Sequence, residues 1–162
     1  MKSRTKSGVI LYAKSSNSSV KDFILLELAD GVLQATVNNG GNTEIQAKIE
    51  LPNDESCDGD WHVIQLIKLA NLVVLYFDER TSGPQMDTGS EDFVTDTDLL
   101  YIGGYPDELR TKRANLEHAV SYAGCIRSLK IETKDNLVQE KSLDLKEVIK
   151  HGNIELENCP TT

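Results

Sequence analysis

The chain has 162 residues, enough for one domain with its own core and short for two. Hydrophobic residues make up 39% and charged residues 27%, and no apolar run approaches the roughly 20 residues needed to span a bilayer, so a disordered chain and direct membrane insertion are both excluded. A net charge of −9 argues against general affinity for nucleic acid or anionic lipid.

Met1-Lys2-Ser3-Arg4 is basic but no apolar h-region follows, so the chain starts without a secretory signal and reads either as cytosolic or as a piece of something larger. Gly8 to Ala13 is the first apolar run. Asp22 to Leu28 and Val32 to Val37 follow, separated by Ala29-Asp30-Gly31, where Asp-Gly between two alternating runs signals a hairpin. Asn38-Asn39-Gly40-Gly41-Asn42 makes the next turn, into Glu44 to Leu51. Trp61 to Leu69 and Leu72 to Phe77 form a second hairpin about Asn71, Leu99 to Ile102 ends at Gly103-Gly104, and Ile126 to Ile131 alternates again. About eight closely spaced strands with almost no helical periodicity predict an all-β antiparallel sandwich. One short helix is expected at Ser142 to Lys150, capped by Ser142 and stopped by Gly152.

Two stretches are irregular. Residues 14–22 are rich in Ser, Asn and Lys, and contain the chain's one N-glycosylation sequon, Asn17-Ser18-Ser19. Residues 78–98 carry Asp78, Glu79, Asp87, Glu91, Asp92, Asp96 and Asp98 against Arg80 alone. Long loops on a rigid sandwich are where binding resides, although a charge run is more often a solvated surface. Trp61, the only tryptophan, opens a mostly apolar strand and is expected to anchor the core. His62 has no Cys, Ser or second His nearby and reads as structural, and Asp78 reads as a strand-end turn residue.

The order of motifs resembles the laminin G-like domain, most closely those of laminin α chains. The residues that carry the resemblance are Ser7-Gly8-Val9-Ile10-Leu11-Tyr12, Asp22 to Leu28 with Asp30-Gly31, Cys57-Asp58-Gly59-Asp60-Trp61-His62, Leu100-Tyr101-Ile102-Gly103-Gly104-Tyr105-Pro106, Tyr122-Ala123-Gly124-Cys125-Ile126 and Cys159. They run in sequence through nearly the whole chain. The resemblance implies a concanavalin-like jelly-roll of about a dozen or more strands, an extracellular location, and tandem neighbours of the same kind. Such domains usually open with one or two further strands, so residues 1–162 are expected to be a single domain truncated at its N-terminus.

The resemblance also supplies site expectations. It pairs Cys125 with Cys159, a bridge that the chain-entropy model values at about 3–4 kcal/mol, and leaves Cys57 over. In many of these domains a rim calcium ion is held by a carboxylate before the second main strand, by backbone carbonyls and by a second side chain. Those positions fall on Asp22, the carbonyls of Asn39 and Phe93, and Thr95, with Asp96 beside it as a substitute. Thr95 is not a carboxylate, which weakens affinity toward the millimolar range of extracellular modules. Arg110, Lys112 and Arg113, with Lys14 and Lys21 near Asp22, form the basic groups expected to bind an anionic glycan.

The expected function is a non-catalytic adhesion module of the extracellular matrix. Its partners would be a cell-surface receptor of the dystroglycan or integrin type, an anionic glycan such as heparan sulfate, and neighbouring laminin G-like domains. The alternatives are a neurexin- or agrin-type ectodomain with a protein partner, a small-lipid binder on the same fold, and a jelly-roll glycosidase. The last is disfavoured because the chain has no Glu-x-Asp-x-Glu pair, no Gly-x-Ser-x-Gly and no His-Glu-x-x-His.

Overall fold

The computed structural model describes residues 1–17, 19, 21–52, 55–86, 97–107, 120–135 and 137–142, the last part from 131 onward by its backbone. Thirteen strands lie among the described residues: β1 (Lys2–Ser3), β2 (Gly8–Lys14), β3 (Phe23–Ala29), β4 (Val32–Asn38), β5 (Ile45–Glu50), β6 (Ile64–Leu69), β7 (Leu72–Phe77), β8 (Arg80–Thr81), β9 (Gln85–Met86), β10 (Leu99–Ile102), β11 (Gly124–Cys125), β12 (Lys130–Asp135) and β13 (Leu137–Ser142). A 3-10 turn spans Glu55–Cys57.

The main sheet has the order β10-β2-β3-β4-β5, antiparallel throughout. The β3–β4 hairpin closes on Asp30 and Gly31, which both have positive φ (50° and 82°), as a two-residue turn matched to the strand twist requires. In the second sheet β7 pairs β6 on one side and the short β8 and β9 on the other. The two sheets meet where β7 packs against β4 and β5.

β3 is apolar on both faces, and each face closes a different core. Leu26 and Leu28 point into the main cluster with Leu33, Ala35, Val37, Ala47, Ile49, Val73, Leu75 and Phe77. Phe23 and Leu25 point the other way, into a smaller cluster with Val9, Tyr12 and Tyr105. The neighbouring β2 serves both clusters through a bulge. Its register against β3 shifts between Val9 and Leu11, so that Val9 lies opposite Glu27 and Tyr12 opposite Leu25. Without the extra residue Val9 and Tyr12, three positions apart, would face opposite ways. With it, Ile10 joins the main core while Val9 and Tyr12 share the second.

Several sequence expectations need adjustment. The strand expected from Trp61 begins at Ile64. The irregular stretch 78–98 contains β8 and β9, both too short to give a pattern of their own. The alternating run Ile126 to Ile131 is interrupted, because Ser128 sits in the left-handed region at φ 54° and no strand resumes until Lys130. Ser142 ends β13, a strand the sequence reading missed, and the helix expected after it lies outside the described residues. β1 precedes the first expected strand and pairs with β11, and Met1 is buried against the main core.

Leu75 is fully buried at the centre of β7, between the two sheets. Leu75→Ala is therefore expected to lower the unfolding free energy by about 3 kcal/mol, measurable by denaturant titration, with the cavity term added to lost burial.

Candidate functional site: the Asp22 rim and the His62 clamp

Asp22 immediately precedes β3, and the register that sets Phe23 opposite Asn38 brings Asp22 to the end of β4, where the Asn38-Asn39-Gly40-Gly41 turn begins. Asp22, Asn38 and Asn39 are all buried, at 5%, 7% and 3% exposure, which is unusual for such polar residues at a strand end. The chain closes over the carboxylate at Gly40. There φ is +81°, and a Cβ would stand 2.7 Å from Asp22 Oδ1, so only glycine fits both the backbone and the space. Asn38 donates through Nδ2 to the Gly41 carbonyl at 3.4 Å, and its buried Oδ1 has no hydrogen-bond partner. This is an oxygen-rich end of the sheet, with a carboxylate and an unsatisfied amide oxygen withheld from bulk water.

That donor set fits a hard cation. Calcium takes six to eight oxygens, carboxylate and carbonyl alike, in loose geometry that turns can supply. Among the described residues no three His, Cys, Asp or Glu converge on a metal, so a cation here would lean on carbonyl and amide oxygens rather than on carboxylates. Asn38 was missed in the sequence reading, which singled out Asn39. The signal was the adjacent Asn-Asn-Gly-Gly, but which amide oxygen is left without a donor, here Asn38 Oδ1, depends on the turn. Phe93, Thr95 and Asp96 lie outside the described residues, as do Arg110, Lys112 and Arg113. Lys21 is exposed beside Asp22, and Lys14 ends β2 at the same rim. Asp98, from the acidic stretch, is engaged elsewhere: the Ser16 hydroxyl and amide both donate to its carboxylate and hold its pKa below the usual value.

Cys125 is disulfide-bonded and Cys57 is a free, half-buried thiol; Cys159, the expected partner of Cys125, lies outside the described residues.

A second polar cluster forms around His62. Its ring stacks on Phe77 with centroids 4.7 Å apart. Nδ1 lies 2.8 Å from Asp78 Oδ2 and Nε2 lies 3.1 Å from Asp58 Oδ1. Only the imidazolium can donate to both carboxylates at once; a neutral ring would turn a bare nitrogen toward one of them. Partial burial disfavours the charged ring, but the hydrogen bonds to Asp78 and Asp58 and their negative charge outweigh it, so the His62 pKa is raised. The carboxyls of Asp58 and Asp78 are likewise opposed by desolvation, yet hydrogen bonds from backbone amides and from His62 leave both lowered. Asp78 also turns the chain after β7, with φ 51°, and accepts the Val63 amide at 2.8 Å. Arg80 and Glu55 form a two-pronged ion pair alongside. His62 thus bridges two carboxylates, and Asp78 sits at the turn that ends β7.

Trp61 corrects the sequence expectation. It is 36% exposed rather than a core anchor, and the Arg127 guanidinium lies over its ring, 4.0 Å from the centroid. The reason is the position: residues 61–63 run outside any strand, so the ring never enters the space between the sheets. The cation–π contact replaces core burial with a half-exposed stack.

The clamp predicts a pH dependence. A His whose folded pKa is raised stabilises fully below its unfolded value, about 6.5, and that stability is lost as pH rises through the folded value. Lowered aspartates stabilise above about 4 and lose their contribution as pH falls through the folded values. The clamp is therefore complete between about pH 4 and 6.5. Melting temperatures across pH should decline above that window, and His62→Gln should flatten the decline. High salt should shrink the effect, since both aspartates are partly exposed.

With this geometry in view, the relatives are informative. The family model described as "Laminin G domain" matches residues 1–134. Mouse laminin subunit alpha-1 is 31% identical over 159 residues, covering 96% of this chain. Mouse laminin subunit alpha-4 is 26% identical over 161 residues, or 98% of it. The mouse basement membrane-specific heparan sulfate proteoglycan core protein is 27% identical over 135 residues, or 82% of it. The chain spans only 5%, 8% and 4% of the length of these three proteins. The solved structure of mouse laminin alpha1 chain domains LG4-5 superposes with a TM-score of 0.84 at 31% identity, covering 99% of this chain and 41% of that one. The sandwich is accordingly an antiparallel jelly-roll, and the chain belongs to the laminin G domain family.

Proposed function

We propose that this chain is a non-catalytic extracellular adhesion module that meets anionic glycans or glycosylated receptors at the Asp22 rim through a bound calcium ion. The observation that carries the proposal is the buried Asp22 carboxylate closed over by Gly40 at the turn that follows β4. Membership in a family represented in laminins and a basement membrane proteoglycan supports the matrix setting. Asp22, the Asn39 carbonyl and, from the other loop, Phe93 with Thr95 or Asp96 would hold the ion. It would supply an exposed positive centre on an otherwise acidic chain, to which a sulfate or carboxylate of the glycan could add its oxygens. Lys14 and Lys21 at the same rim, and Arg110, Lys112 and Arg113, would add charge-assisted hydrogen bonds. The overall −9 is an average and does not set the sign of the potential at one edge.

Isothermal titration with calcium should give one site on the wild-type chain in about the 0.1–1 mM range of extracellular modules. Asp22→Ala should abolish it, and Gly40→Ala should weaken it at least tenfold by displacing the carboxylate. Binding by Asp22→Ala equal to wild type would refute the assignment. Retention on immobilised heparin should fall steeply with salt and be lost on charge reversal of Arg110, Lys112 and Arg113; passage through the column at low salt would remove the glycan half of the proposal.

A further inference from the structure

The loop joining β2 to β3 carries a feature that cation binding does not use. Asn17-Ser18-Ser19 is an acceptor tripeptide for N-linked glycans, and Asn17 and Ser19 are both exposed. Ser15 and Ser16, just before it, are tied down. Ser15 is buried and its Oγ accepts the Asn17 amide at 3.2 Å, while Ser16 donates to Asp98 through both its amide and its hydroxyl. Asp98 in turn donates its own amide to the Lys14 carbonyl at 3.1 Å, which fixes the loop to the start of β10. Within this frame the Asn17 Oδ1 accepts the Ser19 amide at 3.0 Å, and no described residue accepts a hydrogen bond from its Nδ2. The acceptor amide thus belongs to an exposed residue, next to described residues that these bonds hold to β2 and to the start of β10.

We infer that Asn17 is an N-glycosylation site in the parent protein. The extracellular setting of this inference rests on the function proposed above. In the transfer, Asn17 Nδ2 forms a bond to the anomeric carbon of the first N-acetylglucosamine of a lipid-linked pyrophosphate oligosaccharide. The bond from that carbon to the pyrophosphate oxygen breaks, the lipid pyrophosphate leaves, and the amide proton passes to a base of the transferase. No redox step is involved.

The sequon falls in a tryptic peptide of its own, Ser15 to Lys21, between Lys14 and Lys21. The full chain should be led into the secretory pathway of mammalian cells, recovered from the medium and digested. Peptide-N-glycosidase treatment in heavy-oxygen water should then convert Asn17 to a mass-shifted Asp in most molecules. Asn17→Gln and Ser19→Ala should each abolish the shift while the protein is still secreted, and Ser19→Thr should retain it. An unmodified Ser15–Lys21 peptide in secreted wild-type protein would overturn the inference. Calcium titration of the same preparation is read separately, so loss of the rim-cation reading and loss of the glycosylation site give different results.

Discussion

The double-sided burial of β3 is the constraint on which the remaining architecture depends. A strand whose alternate residues enter two different cores cannot slip by one position, because a slip would send Phe23 and Leu25 into the space shaped for Leu26 and Leu28. The bulge in β2 extends the same requirement to its neighbour, delivering Val9 and Tyr12 to one core and Ile10 to the other. With the register fixed on both sides, the ends of β3 are fixed as well. Asp22 has to emerge beside the β4 end, and the chain leaving β4 has to pass over it, which it manages only because position 40 is glycine. The rim is thus a consequence of core packing and not an independent feature of a loop.

The two polar clusters differ in kind. Around His62 both ring nitrogens and both Asp78 carboxylate oxygens are engaged, and these bonds hold the 58–62 segment to the turn after β7. At the Asp22 end of the sheet buried acceptor oxygens are concentrated, and the Asn38 Oδ1 has no hydrogen-bond partner. Burying an unpartnered acceptor is costly unless something completes it.

Much of this was legible from the residues. Asp30-Gly31 announced the β3–β4 hairpin, because few pairs other than Asn-Gly and Asp-Gly take two positive φ values in succession. The long apolar strands followed from alternation. What escaped notice were elements without that alternation: β8 and β9, two residues each, and the β12–β13 hairpin, whose sequence Lys130 to Ser142 is mostly charged or polar. Trp61 misled for a related reason, since its size suggested a core role while its position, three residues before the strand, denied it one. In the site, Asp22 could be placed from its motif. The Gly40 closure could not, because it arises from an approach between a strand end and a turn eighteen positions away. The Asp78 partner of His62 is hidden in the same way by its separation along the chain.

The central claim is that the Asp22 rim is built for a cation, and thermal unfolding with and without calcium tests it most directly. A ligand that binds the folded chain alone adds RT ln(1 + [L]/Kd), about 1.4 kcal/mol at tenfold excess over the dissociation constant. The account predicts that calcium raises the melting temperature of the wild-type chain by several degrees, that magnesium at equal concentration does so much less, and that Asp22→Ala removes the calcium effect. An equal calcium-induced rise in wild type and Asp22→Ala, or no rise in either, would contradict it.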